Sequence, residues 1–168
     1  MWFTQHEKLM KHVWYGVILL CAYLLQGVVF PWLSIRGASP LVLPSVAAAI
    51  ALFEGAVPGG AWGLAAGMLC DASMNQPTLY FTLLMPVLCI LVGLAASSVL
   101  AKGFPSCLVC SLCMLVICTL FQVVRPVLFR GGSPLVALSV GGIQILYSLI
   151  FCIPAYTTVR SACHAGRV

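Results

Sequence analysis

Beyond residue 7 the chain has two acids, Glu54 and Asp71, at the two ends of a glycine-rich stretch. A carboxylate within a membrane segment is costly, and by default it marks a functional group. Such a pair could hold an ion pair; a proton relay would want acids near the bilayer midplane, and neither of these helix-end acids qualifies. Arg125, at the end of a later apolar run, is the basic residue placed to meet Asp71. Thiolate chemistry is the next possibility. Cys107, Cys110, Cys113 and Cys118 resemble an iron–sulfur ligand run, but four residues precede the last cysteine and Thr119 follows it. The bacterial ferredoxin pattern has three residues there and then proline. Positions i, i+3 and i+6 of a helix also fan over a wide arc, so these cysteines read as packing residues and no metal or cofactor is expected. His6 and His12 precede the first apolar run and His164 follows the last. That removes histidine acid–base catalysis and histidine metal ligation from the apolar interior. With no nucleophile–base pair in view, the expectation is a protein that is not an enzyme.

The elements that carry these residues follow from composition. Of 168 residues, 62% are apolar and 7% are charged. Soluble domains carry about 25% charged residues. Mean hydropathy is +1.13. These values exclude a soluble enzyme, a nucleic-acid-binding domain and a disordered chain. The apolar runs are continuous, whereas membrane barrels alternate apolar and polar residues. What remains is an all-α integral membrane protein. Spans need about 20 residues each, so the length suits a single domain of roughly six, with no room for a separate soluble domain. The net charge of +5 is then a topology signal rather than a sign of nucleic-acid affinity. All nine cysteines but Cys163 lie in apolar runs, which does not describe a disulfide framework.

Six apolar runs predict spans at about 13–30, 41–53, 56–71, 79–100, 104–124 and 135–159. The first is longer than a signal-peptide core of about 7–15 residues and reads as an uncleaved span. Pro31 closes it, and Trp32 belongs at the headgroup level. The second and third runs are short for a ~30 Å apolar core. They read as two short spans in a thinned region, with a re-entrant hairpin as the alternative. Arg125-Pro126 ends the fifth run. Six spans return both termini to one side. An inside N-terminus puts Lys8, Lys11, Lys102, Arg160 and Arg167 in the cytoplasm and Arg36, Arg125 and Arg130 outside. That excess favours this orientation. It sets Glu54 at an inner helix end and Asp71 and Arg125 at outer ends, where the acids could equally rest in interfacial water.

Gly55, Gly59, Gly63, Gly67 and Asp71 recur every fourth residue. Residues four apart share a helix face, so the third span presents a groove without side chains that ends in a carboxylate. Small-xxx-small faces let membrane helices approach closely. The neighbour is either another helix of this chain, the plainer reading, or a partner.

Residues 40–93 resemble the MreD family, the small multi-spanning rod shape-determining membrane proteins of bacteria. The resemblance lies in Pro44 within a short second span, Ala51-Leu52-Phe53-Glu54-Gly55, the glycines Gly59, Gly63 and Gly67, and Gly67-Met68-Leu69-Cys70-Asp71. The last is similar to the family's glycine–hydrophobic–hydrophobic–x–aspartate close of span three. Outside residues 40–93 only hydropathy agrees. This resemblance implies a six-helix transmembrane bundle in the bacterial cytoplasmic membrane and a non-catalytic role in the cell-elongation machinery. The implied partners are an MreC-like single-span protein with an outer domain, MreB filaments and peptidoglycan synthases, besides the lipid bilayer. The family is also similar in span arrangement to the substrate-binding subunits of energy-coupling-factor transporters, so a vitamin-binding membrane subunit is the alternative. Such subunits often carry an Ala-x-x-x-Ala pair in span one, where this chain has Ala22 alone.

Overall fold

The computed structural model describes residues 3–29, 32, 40–73, 79–98, 103–130 and 134–165, with backbone alone for 3–9, 98, 125–130, 134–137 and 164–165. The described residues form helices and no strands. In order these are α1 (Phe3–Leu24), continued by a π-helical turn (Leu25–Val29), α2 (Leu43–Glu54), α3 (Ala56–Ser73), α4 (Tyr80–Ser98), α5 (Phe104–Arg130) and α6 (Pro134–Ala165). Among the described residues, four segments are long and apolar enough to cross a membrane: Met10–Val29, Tyr80–Ser97, Phe104–Val124 and Leu138–Cys163. The chain is thus built as a helical membrane protein. At 1.5 Å per residue, the 12 residues of α2 span about 18 Å. The 18 residues of α3 span about 27 Å, but glycine dilutes their hydropathy and α3 is not among the four.

Three helices run past their expected ends. Pro126 was expected to stop α5, yet the helix continues to Arg130. A proline this close to a helix end removes one backbone donor and leaves most of the ladder intact. At the chain's two ends, α1 begins within the polar residues before 13, and α6 runs on through the basic segment after 159. The polar stretch 71–78, which reads as a loop from its sequence, is helical through Ser73, and its remainder lies outside the described residues, as do Pro31 and Lys102.

The second apolar run holds the centre. Every residue from Pro40 to Leu52 is buried, and α2 touches each of the other five helices. Lipid is as apolar as leucine, so hydrophobicity cannot by itself drive helices together there. Close packing of small residues does. The sequence of α2 fits this, with Ala47, Ala48, Ala49 and Ala51 all fully buried. Gly55 joins α2 to α3 alone. Its φ of +92° lies in the left-handed region that glycine takes without strain. Its N–H donates to the Ala51 carbonyl at 3.0 Å, and its carbonyl accepts from Gly59 N–H at 3.0 Å. One residue thus ends α2 and starts α3, so the two helices fold back on each other.

Candidate functional site

Three of the four predicted packing glycines lie against neighbouring helices of the same chain. A Cβ on Gly59 would stand 2.8 Å from Ala51 Cα of α2. On Gly63 it would meet Cys89 Sγ at 2.7 Å, and on Gly67 Thr82 Cα at 2.8 Å, both on α4. Two further glycines complete the seam. Gly60 sits on Ile90, and Gly93 of α4 sits on the backbone of Gly55 and Ala56. Gly55 itself has nothing within 4 Å of its would-be Cβ; its role is the turn rather than the packing face.

Asp71 closes the seam. Its Oδ1 accepts from Phe81 N–H at 3.2 Å. Its Oδ2 accepts from Thr82 N–H at 2.8 Å and from the Thr82 hydroxyl at 2.7 Å. Phe81 and Thr82 are in the first turn of α4, where backbone N–H groups lack intrahelical acceptors. The carboxylate therefore caps a second helix, and its charge meets the positive end of the α4 dipole. It lies at the negative end of its own helix, so the cap also offsets an unfavourable placement. Asp71 is 5% exposed. Arg125 belongs to α5, but its side chain lies outside the described residues.

Glu54 lies at the opposite end of the α2–α3 hairpin, beside the start of α1. It forms an ion pair with Lys11 and accepts from the Tyr15 hydroxyl at 2.8 Å. A carboxylate at a helix C-terminus opposes the dipole, and Lys11 supplies the compensating charge. Around this group His12 stacks on Trp62 with ring centroids 6.1 Å apart, and Tyr15 meets Trp62 edge-on at 6.1 Å. At the same end Tyr156 of α6 packs on Phe53 of α2 and Phe104 of α5, at 5.7 and 5.4 Å.

The N-terminus of α2 is buried, so its free N–H groups need side-chain acceptors. Gln26, in the π-helical turn, supplies one: its Oε1 accepts from Val42 and Leu43 N–H, both at 3.3 Å, and its Nε2 donates to Ser73 Oγ at 3.3 Å. Ser148 of α6 supplies another, accepting from Leu41 N–H at 2.8 Å while donating to the Gln144 carbonyl at 2.7 Å. Sequence gave Gln26 no special weight and passed over Ser148. The signal that was present is the proline pair Pro40 and Pro44 around a helix start, which asks what caps it.

The cysteines spread around α5 and its neighbours. Cys107, Cys110 and Cys118 are buried and Cys113 is exposed. Cys152 of α6 donates to Ser111 Oγ at 3.3 Å. Among the described residues no group of three or more His, Cys, Asp or Glu side chains is placed to hold a metal ion. Ser45 and Thr119 are the buried hydroxyls there without a partner.

The class this arrangement defines is a helical membrane protein whose acids and buried amide serve helix ends. Against family models, curated proteins and solved structures, the chain matches none.

Proposed function

We propose that the chain is a non-catalytic membrane scaffold of the bacterial cell-elongation machinery, helping to organise peptidoglycan synthesis beside an MreC-like protein, MreB filaments and peptidoglycan synthases. One observation supports it most. The residues that carry the MreD resemblance, Gly59, Gly63, Gly67 and Asp71, are those that seat α3 on α2 and α4. The shared motif is therefore architectural, as expected of a protein that offers partners a surface rather than a reaction centre. In this reading α2 and α3 cross as two short spans, the bundle has six crossings, and both termini lie in the cytoplasm.

Affinity purification in mild detergent tests the function. MreC-like and peptidoglycan-synthase partners should co-purify. Recovery of ATPase subunits with a bound vitamin would instead assign the chain to the transporter subunits. Topology is read separately by cysteine labelling. Cys163, near the end of α6, should resist a membrane-impermeant thiol reagent in intact cells and react once cells are opened. Labelling in intact cells would place the C-terminus outside and overturn the reading of cytoplasmic termini.

A further inference from the structure

Three side chains that the scaffold role leaves unused meet between α5 and α6. Cys152 of α6 donates to Ser111 Oγ of α5 at 3.3 Å. Cys107 lies one turn before Ser111 on the same face of α5, and its thiol is in hydrogen-bonding contact with both Ser111 and Cys152. All three residues are fully buried. Two thiols from two helices thus face each other beside a hydroxyl that bonds both.

Their depth decides what can reach them. Cys107 is in the first turn of α5, and its N–H donates to the Gly103 carbonyl at 3.2 Å. On α6, Cys152 stands one turn from Tyr156, whose ring meets Phe104 with centroids 5.4 Å apart. The pair is therefore near an end of the bundle, and helix ends open locally at the least cost. A small neutral oxidant such as hydrogen peroxide can enter such an opening from the bilayer. A charged peptide disulfide cannot.

Two chemistries suit a facing thiol pair. Holding a soft monovalent metal ion would put two thiolates around one positive charge and bury a net negative charge in an apolar core. A disulfide is neutral and needs no counter-charge. We propose that Cys107 and Cys152 form a reversible disulfide that locks α6 onto α5, with a peroxide as the oxidant. One sulfur attacks the peroxide: an S–O bond forms, the O–O bond breaks, and the thiol proton leaves with the departing hydroxide as water. The second sulfur then attacks the sulfenic acid: the S–S bond forms, the S–O bond breaks, and the second thiol proton leaves in another water. Two thiols are oxidised, and the peroxide is reduced to water. Ser111, bonded to both sulfurs, can carry the proton in either step. The bond closes the long loop between the two cysteines and holds α6 against α5, the two helices that pack on either side of α2.

The test uses the full chain in detergent micelles, reduced, freed of reductant and exposed to hydrogen peroxide. After denaturation, free thiols are counted by maleimide addition and intact mass. The parent should carry seven adducts, two fewer than its nine cysteines, and dithiothreitol should return it to nine. Tryptic mapping should join the peptide 131–160, in which Cys152 is the one cysteine, to the peptide 103–130. Cys107→Ser and Cys152→Ala should each keep all eight remaining thiols. The oxidised parent should unfold at a higher temperature than the reduced one, and neither variant should show that rise. A parent that keeps nine thiols would overturn the proposal. So would a bond found within 103–130, or thiol loss undiminished in both variants. An unfolding temperature that oxidation leaves unchanged in the parent would overturn the lock. Should one variant not fold, the other variant and the peptide map decide.

Discussion

Gly67→Ala adds one methyl group at the tightest point of the α3–α4 seam. A Cβ there would lie 2.8 Å from both the Phe81 carbonyl carbon and Thr82 Cα, and closer still to the Phe81 carbonyl oxygen. All three are backbone atoms, so no rotamer change relieves the clash and α4 itself must move. Ordinary contact near 3.5–4.0 Å requires a shift of about 1 Å. The same two residues donate their N–H groups to Asp71, at 3.2 and 2.8 Å, so a shift of that size carries both bonds toward or past the useful limit. Overpacking costs about 1–3 kcal/mol. Weakening the cap adds about 1 kcal/mol. The better helix propensity of alanine returns up to about 1 kcal/mol. A net loss of about 2 kcal/mol follows from these terms. Gly142→Ala is the matched control: Gly142 is helical and has nothing within 4 Å, so the same methyl should leave stability unchanged or raise it by about 0.4–1 kcal/mol. Equilibrium unfolding in mixed detergent micelles compares them. If Gly67→Ala proved as stable as Gly142→Ala, the claim that glycine is required for α3 and α4 to touch would be wrong.

Asp71→Ala should lower stability in the same assay by about 1–3 kcal/mol, because it orphans buried donors at the start of α4. Asp71→Asn keeps one acceptor oxygen and should fall between; equal stability of all three proteins would reject the cap. Gln26→Leu removes the acceptor shared by Val42 and Leu43 and should cost about 1–3 kcal/mol, with faster hydrogen exchange at both amides as the local readout. Unchanged exchange there would mean that another group satisfies the buried end of α2. Lys11→Met leaves Glu54 facing the α2 dipole without its counter-charge and should destabilise. Adding Glu54→Gln should restore most of the loss, and a double variant no better than the single one would show that the pair is not coupled.

The glycine register could be read from the sequence because the close approach of two helices demands absent side chains at a fixed spacing, and a four-residue repeat has few other uses. The helix limits near residues 56, 80 and 104 were legible for a similar reason, since polar and turn-forming residues interrupt the apolar runs. The central position of α2 was not. In water a helix that is apolar all round must be buried. Against lipid an apolar face is equally at home outside, so residues 41–53 look the same on the surface or in the core. The partner of Asp71 was hidden as well. A carboxylate that caps a neighbouring helix leaves no mark beyond its own presence, because what it binds is backbone, which every residue has. Gly55 belongs to the stripe by spacing, yet its backbone dihedral, which spacing does not encode, gives it a different task.

The hydrogen bond from Leu41 N–H to the Ser148 hydroxyl joins positions 107 residues apart. A ribosome adding about 5–20 residues per second makes the second of these about 5–20 s after the first. Through that interval the head of α2 has been made and the helix that completes its core has not. Pro40 to Leu52 must therefore wait at the insertion machinery or in lipid, with a backbone donor unanswered in a medium that offers no water. The core around α2 is complete when α6 arrives and closes over a helix made long before it. A nascent chain halted before residue 148 should accordingly be the form that membrane quality-control proteases find first.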